Sequence, residues 1–200
     1  WRSANATQVE QALLNAQAAF NDWDHTPAAS RAKLLEATAD LMEARMPELI
    51  ALCVKEAGKS LSASVAEVRE AVDFCRYYAQ QGRKLFGQAE KLPGPTGESN
   101  ELQLHGRGVF VCISPWNFPL AIFVGQVAAA LAAGNTVIAK PAEQTNLTAH
   151  FAVSLMHEVG VPAQVLQLLP GDGASVGAAL TSDPRVAGVV FTGSTETAWA

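Results

Sequence analysis

The chain has 200 residues, of which 49% are hydrophobic, and it carries a formal net charge of −5. This apolar fraction is typical of a chain that folds around a core, and the acidic balance argues against a nucleic-acid groove. The longest apolar stretch, residues 120–133, is interrupted by Gly125 and Gln126 and is too short to span a bilayer. No secretory leader is evident and the three cysteines are widely spaced, so we expect a cytoplasmic protein with reduced thiols.

The first half of the chain predicts helices. Thr7 and Glu10 have the spacing of a capping box at the start of the first helix, and Pro27 suits the first turn of the second. Pro47 begins a third helix, which Gly58 ends. A long fourth helix is predicted by apolar residues at helical spacing, namely Val65, Val68, Val72, Cys75 and Ala79.

The pattern changes at about Glu101. A loop is predicted over residues 87–100, which hold three Gly and two Pro, and a half-exposed strand is predicted from Leu102 to Gly106. Apolar strands then alternate with helices; the strands are predicted at 109–113, 136–139, 165–169 and 187–191, and the helices at 119–133, 145–159 and 174–180. Thr145 is predicted to cap the second of these helices.

Continuous apolar strands are buried on both faces, and their alternation with helices predicts a parallel sheet. We therefore predict an α/β fold, with a helical part over residues 1–100 and a Rossmann-like, dinucleotide-binding part over residues 101–200. Ligands of such sheets bind beyond the carboxyl ends of the strands.

The first motif, Ile113 to Pro119, lies at such a strand end. Prolines on both sides of Asn117 restrict the backbone, so its carboxamide can be held in one direction to donate to an oxygen that gains negative charge. The alternative is a turn asparagine that bonds its own backbone, which the residues alone favour.

Lys140 and Glu143 follow the next strand and form the second motif. Both could bond the hydroxyls of a ribose, and a carboxylate there would repel a 2′-phosphate, which favours NAD over NADP. A solvated surface pair is the alternative.

Two glycine-containing segments also follow strands. Gly171, Gly173 and Gly177 have a spacing one residue longer than the usual dinucleotide fingerprint, so they indicate either an anion site at a helix N-terminus or only a tight turn. Gly193 and Ser194 suit a pyrophosphate, and Ser194 equally suits a helix N-cap; both roles are compatible.

Other chemistry is disfavoured. Gly58-Lys59-Ser60 imitates the end of a phosphate-binding loop, but a helix rather than a strand precedes it. The histidines and cysteines show no metal-ligand spacing, so we expect no metal site. Cys112 lies inside a predicted strand and is interpreted as a core residue.

Taken together, PWNFP at 115–119, KPAE at 140–143 and FTGSTE at 191–196 resemble the aldehyde dehydrogenase superfamily. The resemblance extends from Thr26 to the C-terminus. Within the superfamily, residues 55–60, 66–74 and 116–123 resemble the glutamate-semialdehyde (pyrroline-5-carboxylate) dehydrogenase part of the bacterial, bifunctional proline utilization A (PutA) family. The resemblance implies NAD-dependent oxidation of L-glutamate 5-semialdehyde to L-glutamate in proline catabolism. It also implies a separate, FAD-dependent proline dehydrogenase part in the parent protein.

The resemblance implies roles for matching residues. Asn117 would be the oxyanion-hole amide, Lys140 and Glu143 would hold the adenosine ribose, and Ser194 with Trp116 would contact the pyrophosphate. The remaining cofactor contacts that it implies are Ile113, Ser114, Pro115, Phe191, Thr192 and Gly193.

The sequence departs from the superfamily in one respect. The nucleophilic cysteine of the superfamily lies downstream of the FTGSTE element, and neither that segment nor the general-base glutamate is found here. We therefore expect a piece of a longer protein, truncated before the catalytic domain and inactive by itself. Phe118 is implied to border the aldehyde tunnel.

The implied partners are a small aldehyde, the proline dehydrogenase domain of the same parent chain, and further copies of the parent in a homo-oligomer. We expect no nucleic-acid or membrane contact from this segment, although the parent could lie peripherally at the inner membrane. Two alternatives stay open: another NAD-dependent (semi)aldehyde dehydrogenase, and a non-catalytic binding or assembly module.

Overall fold

The computed structural model describes residues 2–199. The helices are α1 (Ala6–His25), α2 (Ala28–Ala44), α3 (Met46–Ala57), α4 (Leu61–Phe86), α5 (Ala121–Ala132), α6 (Asn146–Glu158), α7 (Ala178–Thr181) and α8 (Thr195–Trp199). The strands are β1 (Glu90–Leu92), β2 (Asn100–Leu102), β3 (Val109–Ile113), β4 (Thr136–Lys140), β5 (Leu166–Leu168) and β6 (Val186–Phe191). No helix of this part of the chain combines the length and apolar character needed to cross a bilayer.

The main sheet has the strand order β5-β4-β3-β6, and every neighbouring pair is parallel. The predicted parallel sheet is therefore confirmed. Side chains of β4 alternate between two cores, because Val137 and Ala139 pack on one face of the sheet and Ile138 packs on the other. Burial on both faces explains why the strand sequences are apolar throughout.

The first core continues across the division predicted at residue 100. Val68 and Val72 of α4 belong to the same buried cluster as Phe123 and Val127 of α5 and Val137 of β4. The second, smaller core joins α1 to the opposite face of the sheet. The helical first half thus covers both faces of the sheet that the second half forms.

The capping box of α1 lies two residues earlier than predicted. Asn5 accepts a bond from the backbone N–H of Gln8 at 2.9 Å, and the Gln8 side chain accepts one from the Asn5 N–H at 3.0 Å. The helix already begins at Ala6, so the prediction of a box at Thr7 and Glu10 is wrong.

The turn between α3 and α4 forms as predicted from Gly58. This residue has φ of 65°, a left-handed conformation in which glycine escapes the cost of a side chain. Ser60 then caps α4 by accepting a bond from the N–H of Ala63 at 3.2 Å. The corner holds Lys59 between the two helices.

Residues 87–106 differ from the prediction. A short antiparallel hairpin of β1 and β2 interrupts the predicted loop, and the strand predicted from Leu102 to Gly106 ends at Leu102. Leu102 and Leu104 are both exposed, so they lack the one-sided burial that alternation implies. The predicted helix at 174–180 consists of a π-helical turn, Gly173–Gly177, followed by α7.

Candidate cofactor-binding site

The three motifs start from one row across the sheet. Ile113 is paired with Lys140 on one side and with Phe191 on the other, at the carboxyl ends of β3, β4 and β6. The row is extended by two backbone bonds, from the N–H of Ser114 to the Lys140 carbonyl at 3.3 Å and from the N–H of Thr192 to the Ile113 carbonyl at 3.1 Å. The predicted convergence of the motif-bearing strand ends is therefore observed.

Gln126 of α5 ties two of these strand ends together. Its side-chain amide donates to the Ile113 carbonyl at 3.1 Å and to the Thr192 hydroxyl at 3.0 Å. Sequence reasoning noted Gln126 only as an interruption of an apolar stretch. The sequence did offer a signal for its role, because a single carboxamide in an otherwise apolar, buried helix requires polar partners.

Two buried polar atoms at this row have no hydrogen-bond partner within residues 2–199. They are the hydroxyl oxygen of Ser114 and the amide oxygen of Gln126. Buried polar atoms are nearly always bonded, so these two are suited to a polar ligand at the strand ends. The Ser114 hydroxyl can donate or accept and the Gln126 oxygen can accept, so this edge suits a dinucleotide, which carries both hydroxyl and amide groups.

The loop that follows β3 presents its side chains outward. Trp116 is 54% exposed and Phe118 is 43% exposed, while Pro119 and Leu120 are buried behind them. The Asn117 side chain is exposed and makes no hydrogen bond in the described part of the chain. The alternative of an asparagine bonded to its own turn is therefore absent from this conformation, and the amide is free to donate to a ligand.

Two residues that sequence reasoning did not assign hold this loop. The Lys59 ammonium donates to the Asn117 carbonyl at 2.9 Å and to Glu67 at 2.8 Å. The other carboxylate oxygen of Glu67 accepts the backbone N–H groups of Leu120 at 3.2 Å and Ala121 at 2.9 Å. Glu67 lies about 100° around the helix from Val68, so the apolar stripe of α4 gave no signal that this carboxylate is buried.

Lys140 is buried rather than solvated. It is 4% exposed, and its ammonium donates to the carbonyls of Gly171 at 2.7 Å and Pro141 at 3.2 Å. Burial lowers the pKa of Lys140 below its usual value of 10.5, while the charges of Glu143 and Asp172 oppose that effect. The solvated-pair alternative is thus wrong for Lys140, whereas Glu143 is exposed and can bind a ligand.

In the glycine segment after β5, the side chain of Asp172 already caps the helical turn that begins at Gly173. Asp172 accepts bonds from the Ser175 N–H at 2.6 Å and the Ser175 hydroxyl at 2.8 Å, and these bonds lower the Asp172 pKa. A carboxylate there competes with any bound anion for the helix N-terminus. Gly171 is required by packing, because a Cβ would lie 2.3 Å from Val176, while Gly173 faces open space. The cofactor contacts of Gly171, Gly173 and Gly177 stay predictions.

In the segment after β6, Ser194 acts as the helix N-cap that the sequence indicated. The Ser194 hydroxyl accepts the backbone N–H of Thr197 at 3.2 Å and so caps α8. A Cβ on Gly193 would lie 2.6 Å from the Phe191 ring, so a larger residue would displace that ring. Both Thr192 and Ser194 are exposed at the edge where a ligand is predicted, and their cofactor contacts stay predictions.

The three cysteines are unsuited to nucleophilic chemistry. Cys53, Cys75 and Cys112 are each 0% exposed. Burial raises the pKa of each thiol from 9.0 to about 12, and the charge of Glu67 adds to this effect at Cys53. The thiolate is the reactive form, so these thiols are inert in the folded chain. Cys112 is a core residue, as predicted.

Comparison with known proteins gives a consistent result. The profile of the aldehyde dehydrogenase family matches residues 1–199. The bifunctional protein PutA of Klebsiella aerogenes is 55% identical over 197 residues, which are 98% of this chain and 14% of that protein. The chain therefore spans about one seventh of the length of this relative.

Solved structures show the same similarity. A point variant of proline utilization A from Bradyrhizobium japonicum is 58% identical with a TM-score of 0.98, over 100% of this chain and 20% of that one. A 1-pyrroline-5-carboxylate dehydrogenase from Thermus, solved with bound NAD, is 41% identical with a TM-score of 0.94, over 98% of this chain and 38% of that one. With the profile match over nearly all of its length, the chain belongs to the aldehyde dehydrogenase family.

Proposed function

We propose that a protein containing this chain oxidises L-glutamate 5-semialdehyde to L-glutamate with NAD. The chain supplies the helical part and most of the cofactor-binding part. The observation that carries the proposal is the row of Ile113, Lys140 and Phe191, from which all three motifs start at one sheet edge. The names of the relatives, PutA and 1-pyrroline-5-carboxylate dehydrogenase, support this substrate.

NAD would lie along this edge and supply the hydride acceptor. Glu143 is exposed just past β4, where its carboxylate can accept bonds from ribose hydroxyls and repel a 2′-phosphate. Lys140, fixed by two carbonyls, lies beside it and holds positive charge at the strand end. On the other side of β3, the exposed Thr192 and Ser194 hydroxyls can reach the pyrophosphate.

Asn117 would act on the aldehyde. Its carboxamide, which is unpaired within residues 2–199, would donate to the carbonyl oxygen as negative charge develops there during nucleophilic attack. The attacking thiol must come from outside residues 2–199, because the thiols in this range are buried and have raised pKa values. We therefore propose that residues 1–200 alone form no NADH from an aldehyde.

The parent is proposed to be bifunctional, with an FAD-dependent proline dehydrogenase part in the same polypeptide. The relatives named bifunctional PutA support this arrangement. A cytoplasmic location, a peripheral place at the inner membrane and assembly into a homo-oligomer stay predictions.

The test uses an intact protein that contains this chain. NADH formation is compared between glutamate 5-semialdehyde and a panel of other aldehydes, and the proposal requires the highest kcat/KM for glutamate 5-semialdehyde. A higher value for another aldehyde would contradict the assigned substrate.

The cofactor site is tested by Glu143→Ala. The loss of charge-assisted bonds to a ribose weakens NAD binding by about 10- to 100-fold, as measured by calorimetry. Glu158→Ala, an exposed glutamate at the far end of α6, is the matched control and should leave NAD affinity unchanged. Equal NAD affinity in both variants would favour the non-catalytic alternative.

A further inference from the structure

Lys59 lies at the corner between α3 and α4, far in sequence from any motif of the proposed site. Its side chain is 13% exposed and reaches the loop after β3 across 58 residues of sequence. There it makes three contacts: a bond to the Asn117 carbonyl at 2.9 Å, an ion pair with Glu67 at 2.8 Å, and a position 4.3 Å from the centre of the Phe118 ring. One ammonium group therefore contacts Asn117, which is proposed to act on the aldehyde, and Phe118, which is predicted to border the aldehyde tunnel.

Glu67 completes the arrangement from the other end of the loop. Its side chain is 1% exposed, and its second oxygen accepts the first N–H groups of α5, those of Leu120 and Ala121. A buried carboxylate is costly without a partner charge, so Lys59 and Glu67 stabilise each other. The loop is thus fixed at its 117 carbonyl and at its 120 and 121 amides.

This geometry leaves the side-chain amide of Asn117 without a partner in the described part of the chain. Its carbonyl is bonded to Lys59, while its side-chain amide makes no bond in residues 2–199. A backbone held in this way fixes the Cα–Cβ direction from which the side chain projects, and it leaves the amide donor available. A donor that is already oriented loses no effectiveness to reorganisation when charge develops.

We propose that Lys59 is a positioning residue for the reaction: it orients the Asn117 amide through the 117 backbone and fixes Phe118 by its charge. This inference rests on the proposed function. It assigns no contact between Lys59 and substrate or cofactor.

The variant is Lys59→Met, which keeps an unbranched side chain one atom shorter and removes the charge. In the intact protein we expect kcat to fall at least about tenfold, since a misplacement of about 1 Å costs about 10²-fold. The KM for NAD should stay within twofold, because Lys59 contacts Glu67, Asn117 and Phe118, none of which is predicted to contact the cofactor. Lys55→Met, the same change on an exposed residue of α3, is the control and should change neither value.

A double-mutant cycle with Asn117→Ala separates positioning from a general loss of structure. Asn117→Ala removes the amide but keeps the carbonyl that Lys59 binds, and it should lower kcat by about 10²–10³-fold. If Lys59 acts through the amide, Lys59→Met lowers kcat by less than twofold in the Asn117→Ala background. A fall equal to that in the wild-type background, or no fall in kcat for Lys59→Met alone, would overturn the proposal.

Two further measurements cover folding and the dependence on the proposed function. If Lys59→Met does not fold, Lys59→Met/Glu67→Gln removes both charges together and enters the same cycle with the same criteria. Hydrogen exchange of the Leu120 and Ala121 amides, which donate to Glu67, needs no activity: it should quicken in Lys59→Met and stay unchanged in Lys55→Met. If the wild-type protein forms no NADH but exchange quickens in Lys59→Met, only the proposed function is contradicted. If exchange in Lys59→Met is the same as in the wild type, this inference is wrong.

Discussion

At the scale of single residues, burial controls the ionisation of the three cysteine thiols. Cys53, Cys75 and Cys112 have no exposed surface, and the pKa of each is raised from 9.0 to about 12. The thiolate is the form that alkylating reagents attack. These side chains therefore pack as small apolar groups and take no part in covalent chemistry.

We predict that iodoacetamide leaves all three thiols unmodified at pH 8 in the folded protein and modifies them after denaturation, as mapped by mass spectrometry. The reagent reacts with an accessible thiolate, whereas burial keeps each thiol protonated at pH 8 and out of contact with the reagent. Rapid alkylation of the folded protein at pH 8 would contradict the prediction.

The same thiols make stability depend on pH in the alkaline range. Burial in the folded chain raises the pKa of each thiol from its ordinary value of 9.0 to about 12. The free energy of unfolding therefore falls as pH rises from about 9 towards 12, because the folded state then binds more protons than the unfolded state. Cys112→Ala should flatten this decline in alkaline urea titrations.

At the scale of elements, two glutamates near the corner between α3 and α4 cap the N-termini of α5 and α6, the helices that follow β3 and β4. Glu67 accepts the first N–H groups of α5, and Glu56 accepts the N–H groups of Leu147 and Thr148 at 2.7 Å each, in the first turn of α6. Both helices directly follow motif-bearing strands. Thr145 occupies the predicted N-cap position of α6 but makes no capping bond with its side chain, so the predicted mechanism of capping is wrong.

Glu56→Ala tests the capping of α6. The variant leaves two first-turn N–H groups without their acceptor, and we expect it to lower the free energy of unfolding by about 1–2 kcal/mol in urea denaturation. Glu70→Ala, the same change at an exposed position of α4, is the control and should stay within about 0.5 kcal/mol of the wild type. Equal stability of the two variants would show that Glu56 contributes nothing to the cap.

At the scale of the whole molecule, the shared core decides how the two halves of the chain behave. The buried cluster joins Val68 and Val72 to Phe123 and Val127, while residues 93–99 between the halves are exposed. Cutting this exposed loop removes no core contact. Separating the halves, in contrast, would expose the apolar face of α4 and the helices that it covers.

We predict that a protease recognition sequence inserted at residues 95–97 can be cleaved without dissociation of the two halves. The cleaved protein should elute as one species in size-exclusion chromatography under native conditions and as separate pieces in denaturant. Residues 101–200 expressed alone should unfold without a cooperative transition. Independent folding of that piece would instead support a boundary between two autonomous domains at residue 100.

The sequence by itself determined the strands of the main sheet, their parallel arrangement and the place of the motifs at the strand ends. These features depend on local apolar runs, on glycine and proline, and on the alternation of strands with helices. The capping box of α1 was misplaced because Thr7 and Glu10 offer the same local pattern as Asn5 and Gln8, and only the bonds distinguish them.

Only the tertiary structure decided which groups support the candidate site. The backbone groups that Lys59, Glu67 and Glu56 bind lie 53 to 92 residues away in sequence, and no local pattern encodes such pairs. Burial of Lys140 likewise depends on the Gly171 carbonyl, 31 residues downstream. A hydrogen bond or a charge pair requires a distance of a few ångströms, and for residues far apart in the chain that distance is set by the packing of helices on the sheet.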